Sequence, residues 1–254
     1  MFSYAAAHRF AVLLVLFVVG APATAFAQYQ VKVATAEAPG QLNQTPAAPE
    51  PFGLDALPVI GGEVVTKWSG VVADIRAESD ILTRCREATQ SCPEAAQKFL
   101  AVIADGRAHE GRARIGVINR AINLAIRPTS DLAQWGVLDR WSAPLATLTT
   151  GRGDCEDYAI AKYVALTEAG ISADDVKLII VRDLAAGEDH AVVAARLDRK
   201  WIVLDNRRLT LLEDVEMPHV VPLFVLGHDG VKQFAPTAVA SATIKTPAPS
   251  SLGN

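Results

Sequence analysis

The segment Gly151–Ala159 places a single thiol at the predicted start of a buried helix. Asp154 is a residue type that often caps a helix N-terminus, and Asp157 three residues later can complete a capping box. These signals predict a helix over Cys155–Ala169. The residues that follow the motif are apolar on nearly every side, so the helix is expected to be internal. A fold with this sequence therefore has to hold Cys155 rigidly in the first turn of a buried helix.

The surroundings of Cys155 act on its reactivity in opposite directions. The positive end of a helix dipole favours the thiolate, which is the nucleophilic form of cysteine. The carboxylates of Asp154, Glu156 and Asp157 lie within two residues of the thiol and should raise its pKa. Either capping hydrogen bonds and Arg152 offset these charges, or a hard divalent cation such as calcium binds them beside the nucleophile. The alternative is a small buried cysteine with no chemical role.

A candidate base and its orienting acid occur in two predicted strands downstream. His190–Leu197 and Lys200–Leu204 have strand character, and the polar residues between them predict a hairpin. If the loop is Asp198 and Arg199, His190 and Asp205 face the same way as diagonal neighbours, near enough for a carboxylate to orient an imidazole. A three-residue loop would put them on opposite faces, so this prediction depends on the register.

Cys155, His190 and Asp205 thus supply a nucleophile, a base and an orienting acid. Over roughly residues 112–230 the chain resembles the bacterial transglutaminase-like cysteine proteinases. The matching segments are Trp135-Gly136, Asp139 to Pro144, Gly151 to Ala159, the helix that contains Lys162, His190, and Val203 to Asn206. The resemblance implies a papain-like or transglutaminase-core fold, a triad of these three residues, and hydrolysis of a peptide bond through a thioester.

Within that family the chain is similar to the LapG-type periplasmic proteases, which cut large surface adhesins near their N-termini in a calcium-dependent way. This resemblance implies a protein substrate such as a surface adhesin, a membrane-bound regulatory receptor, and a calcium ion held by Asp154, Glu156 and Asp157. No organic cofactor is expected. Two alternatives remain open: a transglutaminase-like acyltransferase or amidase that uses the same triad, and a non-catalytic binding module.

The N-terminal residues 1–27 are predicted to be a secretory signal. Arg9 precedes an apolar run, and Ala25-Phe26-Ala27 supplies a small-x-small cleavage pattern before Gln28. The apolar run is shorter than the about 20 residues that a membrane span needs, and an uncleaved anchor is the alternative. The mature protein is therefore expected to be periplasmic or otherwise exported, with no membrane span.

The cysteine count fits an oxidising compartment. The chain has three cysteines, of which Cys85 and Cys92 are close in sequence. A disulfide between these two would leave Cys155 free, as a nucleophile requires. The alternative is two reduced, buried cysteines.

Composition sets the outer limits of the folded domain. The chain has 24 Lys and Arg against 28 Asp and Glu, a balance that gives no support to a nucleic-acid partner. Residues 28–58 are rich in Ala and Pro and are predicted to be a flexible leader, and residues 236–254 a flexible tail. The peptidase domain is then expected over residues 59–235.

Within that domain, predicted helices precede predicted strands. The helices are Pro93–Ala104, Arg112–Ile126 with Ile115, Ile118 and Ile122 at helical spacing, and Cys155–Ala169. The strands are Val176–Arg182, His190–Leu197, Lys200–Leu204 and Val220–Leu226. This order predicts an α+β fold with helices packed on an antiparallel sheet and the nucleophile where helix meets sheet.

Three residues near the cysteine motif are candidates for the cleft wall or the oxyanion hole. Trp135 and Trp141 are expected either in the core or as walls of a cleft. The backbone N–H of Cys155 is the expected first oxyanion donor, and Gln134 or Trp135 are candidates for the second.

Overall fold

The computed structural model describes residues 49–88 and 92–236. The predicted signal, most of the predicted leader and the tail after residue 236 lie outside these ranges. The helices are α1 (Glu63–Glu87), α2 (Glu94–Arg107), α3 (Gly111–Ala125), α4 (Asp131–Trp135), α5 (Pro144–Thr150) and α6 (Cys155–Glu168). The strands are β1 (Ala56–Pro58), β2 (Arg127–Pro128), β3 (Arg152–Gly153), β4 (Val176–Asp183), β5 (Glu188–Leu197), β6 (Lys200–Leu204), β7 (Leu212–Glu213), β8 (Val220–Gly227) and β9 (Gly230–Phe234). Short 3₁₀ turns occur at Pro51–Gly53, Ala173–Asp175 and Asp214–Glu216.

Seven of the strands form one antiparallel sheet in the order β1-β9-β8-β4-β5-β6-β7. The helix α6 packs against β4 and β5 on one side and against α2, α3 and α5 on the other. The predicted α+β fold, with helices on an antiparallel sheet, is confirmed. The central position of α6 explains why its sequence is apolar all round.

The predicted core face of α3 is confirmed. Ile115, Ile118 and Ile122 are fully buried, because their spacing of three and four residues places them on one side of the helix. The α2 helix crosses this region at Gly106, where an added Cβ would lie 2.6 Å from the Cδ1 atom of Ile118. The helical layer over the sheet is therefore closely packed.

The hairpin between β5 and β6 has the register that a two-residue loop requires. Leu197 pairs with Lys200, and the loop residues Asp198 and Arg199 both have a left-handed backbone, with φ of 51° and 64°. Two successive positive φ angles are typical of the tight turn that matches strand twist. This register puts His190 and the residue after β6 on the same face of the sheet.

The leader prediction is wrong at its C-terminal end. β1 pairs with β9 at the edge of the sheet, with Ala56 opposite Phe234. Just before β1, the Trp201 indole donates to the carbonyl oxygen of Pro49 at 3.0 Å, and Lys232 pairs with Glu50 at 2.8 Å. Residues 49–58 thus belong to the fold, held by these pairings and by Phe52, Leu54 and Ala56, which pack against a hydrophobic cluster of the sheet.

The long helix α1 was not anticipated from the sequence either. Only Trp68, Val71, Leu82 and Cys85 of its residues are buried, so its apolar stripe is sparse. A disulfide joins Cys85 at its end to Cys92 before α2, as the cysteine count predicted. No helix in the described part of the chain is long and apolar enough to cross a bilayer.

Candidate active site

Cys155 is the first residue of α6, and only the N-cap residue Asp154 separates it from the end of β3. β3 pairs in parallel with β2, so backbone hydrogen bonds anchor the turn that leads into the helix. Gly153 is required at this turn, since a Cβ there would lie 2.6 Å from Oδ2 and 2.7 Å from Cβ of Asp157. The thiol is therefore held at the junction of helix and sheet, as the sequence predicted.

His190 and Asp205 form a buried pair. His190 is the third residue of β5, Asp205 directly follows β6, and their side chains are 2% and 3% exposed. The His190 Nε2 and Asp205 Oδ1 atoms are 2.9 Å apart. Because a carboxylate accepts, the imidazole donates from Nε2–H, and the neutral ring then has its lone pair on Nδ1. That Nδ1 atom is buried and has no hydrogen-bond partner among the described residues.

The Asp205 carboxylate is fixed from several directions. Its Oδ1 atom also accepts a hydrogen bond from the Arg207 backbone N–H at 2.9 Å, and the Arg208 Nε atom lies 3.3 Å from Oδ2. Burial acts to raise the pKa of Asp205, but the hydrogen bonds from His190 and Arg207 and the nearby Arg208 charge hold it below its usual value. Asp205 is therefore ionised at neutral pH and can orient the imidazole.

Two asparagines on α3 hold the segment that carries Asp205. The Asn123 Nδ2 atom donates to the carbonyl oxygens of Asp205 at 3.0 Å and Arg208 at 3.1 Å. The Asn119 Nδ2 atom, one helical turn earlier, makes longer bonds to Arg208 at 3.4 Å and Leu209 at 3.3 Å. Sequence reasoning missed this support. The available signal was the spacing of the two asparagines on the buried side of a predicted helix.

The environment of the Cys155 thiol favours its protonated form. The sulfur accepts a hydrogen bond from the backbone N–H of Ala191, next to His190, and donates to Glu156 Oε2 at 3.1 Å. Burial raises the pKa of the thiol well above its ordinary value, and the Glu156 carboxylate raises it further, whereas the Ala191 N–H lowers it. Burial and neighbouring negative charge therefore outweigh the helix dipole.

Three carboxylates crowd together beside the thiol. One oxygen each from Asp131, Asp154 and Glu156 lie within 4.8 Å of one another. Burial, with the charge of Glu156 adding to it, raises the pKa of Asp154 to about 8. The Asp154 Oδ1 atom is buried without a hydrogen-bond partner in the described part of the chain. Asp131 begins α4, and no sequence signal placed it near Cys155.

Asp157 is not one of these three crowded carboxylates, although the charges of Asp154 and Asp131 act on it. Its Oδ1 atom accepts a hydrogen bond from the Ser142 backbone N–H at 2.8 Å, and burial raises its pKa to about 7. The predicted capping box is wrong, since Asp154 occupies the N-cap position without a side-chain capping bond. The Asp154 side chain lies with those of Asp131 and Glu156 instead. Asp157 connects the loop before α5 to the first turn of α6 through its hydrogen bond from Ser142.

Cys155 is reached from two recesses. One has a volume of about 360 Å³ and contains His190. Its lining combines apolar side chains, namely Val64, Leu138, Trp141, Ile180, Leu223 and Phe224, with charged ones, namely Glu63, Lys67, Asp139 and Glu156. The other has a volume of about 400 Å³ and a mostly polar lining that includes Ser130, Asp154, Glu188, Asn206 and Arg207. Asp189 lines both. A peptide that crosses the thiol would therefore meet more apolar side chains on one side than on the other.

The structure places Trp141 at a recess beside Cys155, but not Trp135 or Gln134. Trp141 lines the recess that contains His190, which agrees with the cleft-wall alternative. Trp135 lines neither recess, and the Arg140 guanidinium lies 4.2 Å above its ring. The Gln134 amide donates to Thr150 Oγ1 at 3.2 Å, and Gln134 also lines neither recess.

Cys155 lines the same recess as His190, which is hydrogen-bonded to Asp205, and thiol hydrolases use these three residue types. The profile of the bacterial transglutaminase-like cysteine proteinases (BTLCP) matches residues 78–217, more than half of the chain. The chain belongs to this family and is a cysteine peptidase. A comparison with curated proteins gave no match.

Three solved structures of Legionella pneumophila LapG have the same fold. The first is 19% identical, and the match covers 65% of this chain and 91% of LapG with a TM-score of 0.52. The calcium-bound form is 18% identical, with coverages of 63% and 92% and a TM-score of 0.52. The EGTA-treated form is 20% identical, with coverages of 63% and 86% and a TM-score of 0.51. At this level of identity the likeness establishes the fold.

Proposed function

We propose that this peptidase hydrolyses a peptide bond of a protein substrate with Cys155 as nucleophile, His190 as base and Asp205 as the acid that orients the base. The strongest support is the 2.9 Å hydrogen bond between His190 Nε2 and Asp205 Oδ1. It leaves Nδ1 as the proton acceptor of a side chain that lines the same recess as Cys155. Membership of a cysteine proteinase family supports the same assignment.

The reaction follows from these atoms. His190 Nδ1 takes the proton from Cys155 Sγ, and the sulfur attacks the carbonyl carbon of the scissile peptide bond. The backbone N–H of Cys155 has no partner within the helix and can donate to the developing oxyanion. The C–N bond then breaks, and the leaving amine takes the proton from the imidazolium. Water, activated by the same imidazole, cleaves the thioester and releases the acid.

The rival acyltransferase reaction differs only in the second step, where an amine replaces water. The test is mass spectrometry of a surface-protein extract digested by the purified protein, with and without added glycine methyl ester. Hydrolysis gives products with free carboxyl termini in both samples. Products that carry the added amine as the main species would favour the acyltransferase. Undiminished cleavage by Cys155→Ala or His190→Ala would reject the triad, and loss of cleavage in both supports it.

We further propose that Asp131, Asp154 and Glu156 hold a calcium ion beside the nucleophile. The crowded oxygens and the unpartnered Asp154 Oδ1 atom fit the hard oxygen ligands that calcium prefers. The calcium-bound LapG structure supports the same proposal. Bound calcium would supply positive charge that offsets the carboxylates next to the thiol.

The calcium proposal is tested by calorimetry on protein that has been stripped with a calcium-selective chelator. Calcium should bind with measurable heat and restore activity better than magnesium does. Asp131→Asn should weaken calcium binding, whereas Asp157→Asn should leave it unchanged, because Asp157 is bonded to Ser142 instead. Full activity after stripping, with no calcium heat, would reject a functional metal.

We also propose that the protein is exported to the periplasm and that its substrate is a surface adhesin. The signal pattern of residues 1–27 supports export, and the resemblance to LapG-type proteases supports the adhesin and a membrane-bound regulatory receptor. Cell fractionation tests the location. Cross-linking in intact cells tests the receptor, and comparison of surface proteins from cells with and without this chain tests the adhesin. Recovery of the protein from the cytoplasm alone, with its N-terminus intact, would reject export.

A further inference from the structure

Lys162 is a charged residue in the middle of the buried helix α6, and the mechanism above gives it no role. Its side chain is 1% exposed. Lys177, another buried lysine, has a carboxylate partner, since its ammonium lies 3.1 Å from Asp229 Oδ1. Lys162 forms no such ion pair with a carboxylate in the described ranges. Burying an ammonium without a direct partner is costly, so this position needs a physical reason.

The position of Lys162 relates it directly to the nucleophile. It lies seven residues after Cys155, which is two helical turns, so the two side chains are on the same face of α6. That face meets β5, because the Cys155 sulfur contacts the Ala191 N–H. The strand β5 carries His190, and Asp205 directly follows its neighbour β6. Lys162 therefore lies beneath the triad on the helix that presents the thiol.

The immediate neighbour of Lys162 is held in place. The ammonium lies 5.8 Å from the centre of the Tyr158 ring, a distance at which a cation is attracted to the aromatic face. The Tyr158 hydroxyl donates to the Ile126 carbonyl oxygen at 2.5 Å, which fixes the ring. These contacts restrict where the ammonium can lie.

The charge of Lys162 is coupled to that of Asp205. Burial lowers the pKa of Lys162 to about 7, and the Asp205 charge acts to raise it. Asp205 is itself 3% exposed, whereas the Arg208 side chain beside it is 44% exposed and screened by water. Because an attraction between two charges is reciprocal, Lys162 also acts on the buried acid, in addition to His190 and Arg208. If Lys162 only filled space, the effect of its removal on the reactivity of Cys155 would not depend on the charge of Asp205.

We propose that Lys162 is a positioning residue of the triad, whose buried ammonium stabilises the negative charge of Asp205 and so keeps His190 oriented to accept the thiol proton. The inference rests on the proposed function, because it assumes that Cys155, His190 and Asp205 act together. Lys162 touches neither substrate nor reacting atoms in this scheme and acts through Asp205.

The test is the rate at which iodoacetamide alkylates Cys155 in the full mature protein. Cys85 and Cys92 are joined, so Cys155 is the remaining thiol of the three cysteines. Lys162→Met should slow alkylation roughly 10-fold, the effect of losing an attraction between two buried charges. In an Asp205→Asn background the same change should alter the rate by less than about twofold, because coupled sites are not additive. Lys177→Met is the matched control for loss of a buried lysine and should leave the rate unchanged.

The possible alkylation rates separate the role of Lys162 from that of the triad. Equal slowing by Lys162→Met in both backgrounds, or no slowing in the otherwise unaltered protein, would overturn the role of Lys162. If Cys155 in the His190→Ala variant is alkylated at the unaltered rate, His190 is not its base. That result would contradict the proposed function and not the role of Lys162. Circular dichroism establishes that each variant is folded.

A second measurement covers the case in which Lys162→Met does not fold. The titration of the Lys162 amine is followed by NMR in the unaltered protein and in Asp205→Asn, with Tyr158 and His190 intact in both. The pKa of Lys162 should be lower in Asp205→Asn, because an attracting negative charge is removed. The same pKa in both proteins would overturn the proposal.

Discussion

Removal of the Asn123 amide should loosen Asp205 without changing its carboxylate. Asn123→Ala deletes the two hydrogen bonds from Nδ2 to the carbonyl oxygens of Asp205 at 3.0 Å and Arg208 at 3.1 Å. At about 0.5–1.5 kcal/mol for each bond, the expected loss in free energy of unfolding is about 1–3 kcal/mol. The Asn123 Oδ1 atom is buried without a partner among the described residues, so its removal relieves some desolvation. We therefore expect a value in the lower half of that range.

The functional effect should exceed what this stability loss can explain. A small domain retains most of its about 5–15 kcal/mol of stability after such a change, so the folded fraction hardly alters. A displacement of Asp205 by about 1 Å would misalign His190, and misplacement on that scale costs about 100-fold in rate. Asn123→Ala should therefore be slow in both Cys155 alkylation and substrate cleavage.

Asn119→Ala is the matched control for this prediction. Its amide bonds are longer, at 3.3 and 3.4 Å, and reach Leu209 and Arg208 but not Asp205. Denaturant unfolding measures stability, and alkylation and cleavage measure function, for both variants. Equal rate losses in the two variants, or an unaltered rate in Asn123→Ala, would refute the reasoning that Asn123 positions Asp205.

Three further predictions concern the surroundings of the site. Gly153→Ala should lower the free energy of unfolding by about 1–3 kcal/mol, because the new Cβ overlaps Asp157; an unchanged thermal midpoint would contradict this. Asp157→Asn keeps the acceptor for Ser142 but cannot ionise. Burial raises the folded-state pKa of Asp157 to about 7. The protonated carboxyl therefore contributes fully to the free energy of unfolding below the unfolded-state pKa of about 4, and this contribution is lost as the pH rises through the folded-state pKa. In denaturant unfolding without calcium, the variant should gain stability relative to the unaltered protein over that window, and a constant difference would count against it. Non-reducing peptide mapping of protein from its native compartment should recover Cys85 linked to Cys92, and three free thiols there would contradict the disulfide.

The elements that the sequence predicts best are those set by local signals. The helix from Cys155 ends within a residue of its expected limit, because its apolar run and the following Gly170, with φ of 99°, define it locally. The strands β5 and β6 and their register follow from alternation and a two-residue turn. The pairing of His190 with Asp205 is a consequence of that register, which is why it could be predicted.

Features that depend on distant parts of the chain could not be predicted in this way. β1 is a three-residue strand whose stability comes from pairing with β9 near the other end of the domain. Asp131 reaches the carboxylate cluster only because α4 lies beside β3 and the start of α6. Asp157 has the right spacing for a capping box, but the tertiary hydrogen bond from Ser142 takes its carboxylate instead. In each case a tertiary contact either overrides a local sequence signal or creates a feature for which the local sequence has no signal.

The most direct test of the central claim is identification of new protein termini by mass spectrometry. A surface-protein extract is incubated with the purified protein or with Cys155→Ala, each at the same concentration and each confirmed to be folded. The account predicts defined new N-termini with the unaltered protein and none with Cys155→Ala, because the peptide carbonyl must be attacked by that sulfur. The same new termini in both samples would contradict it.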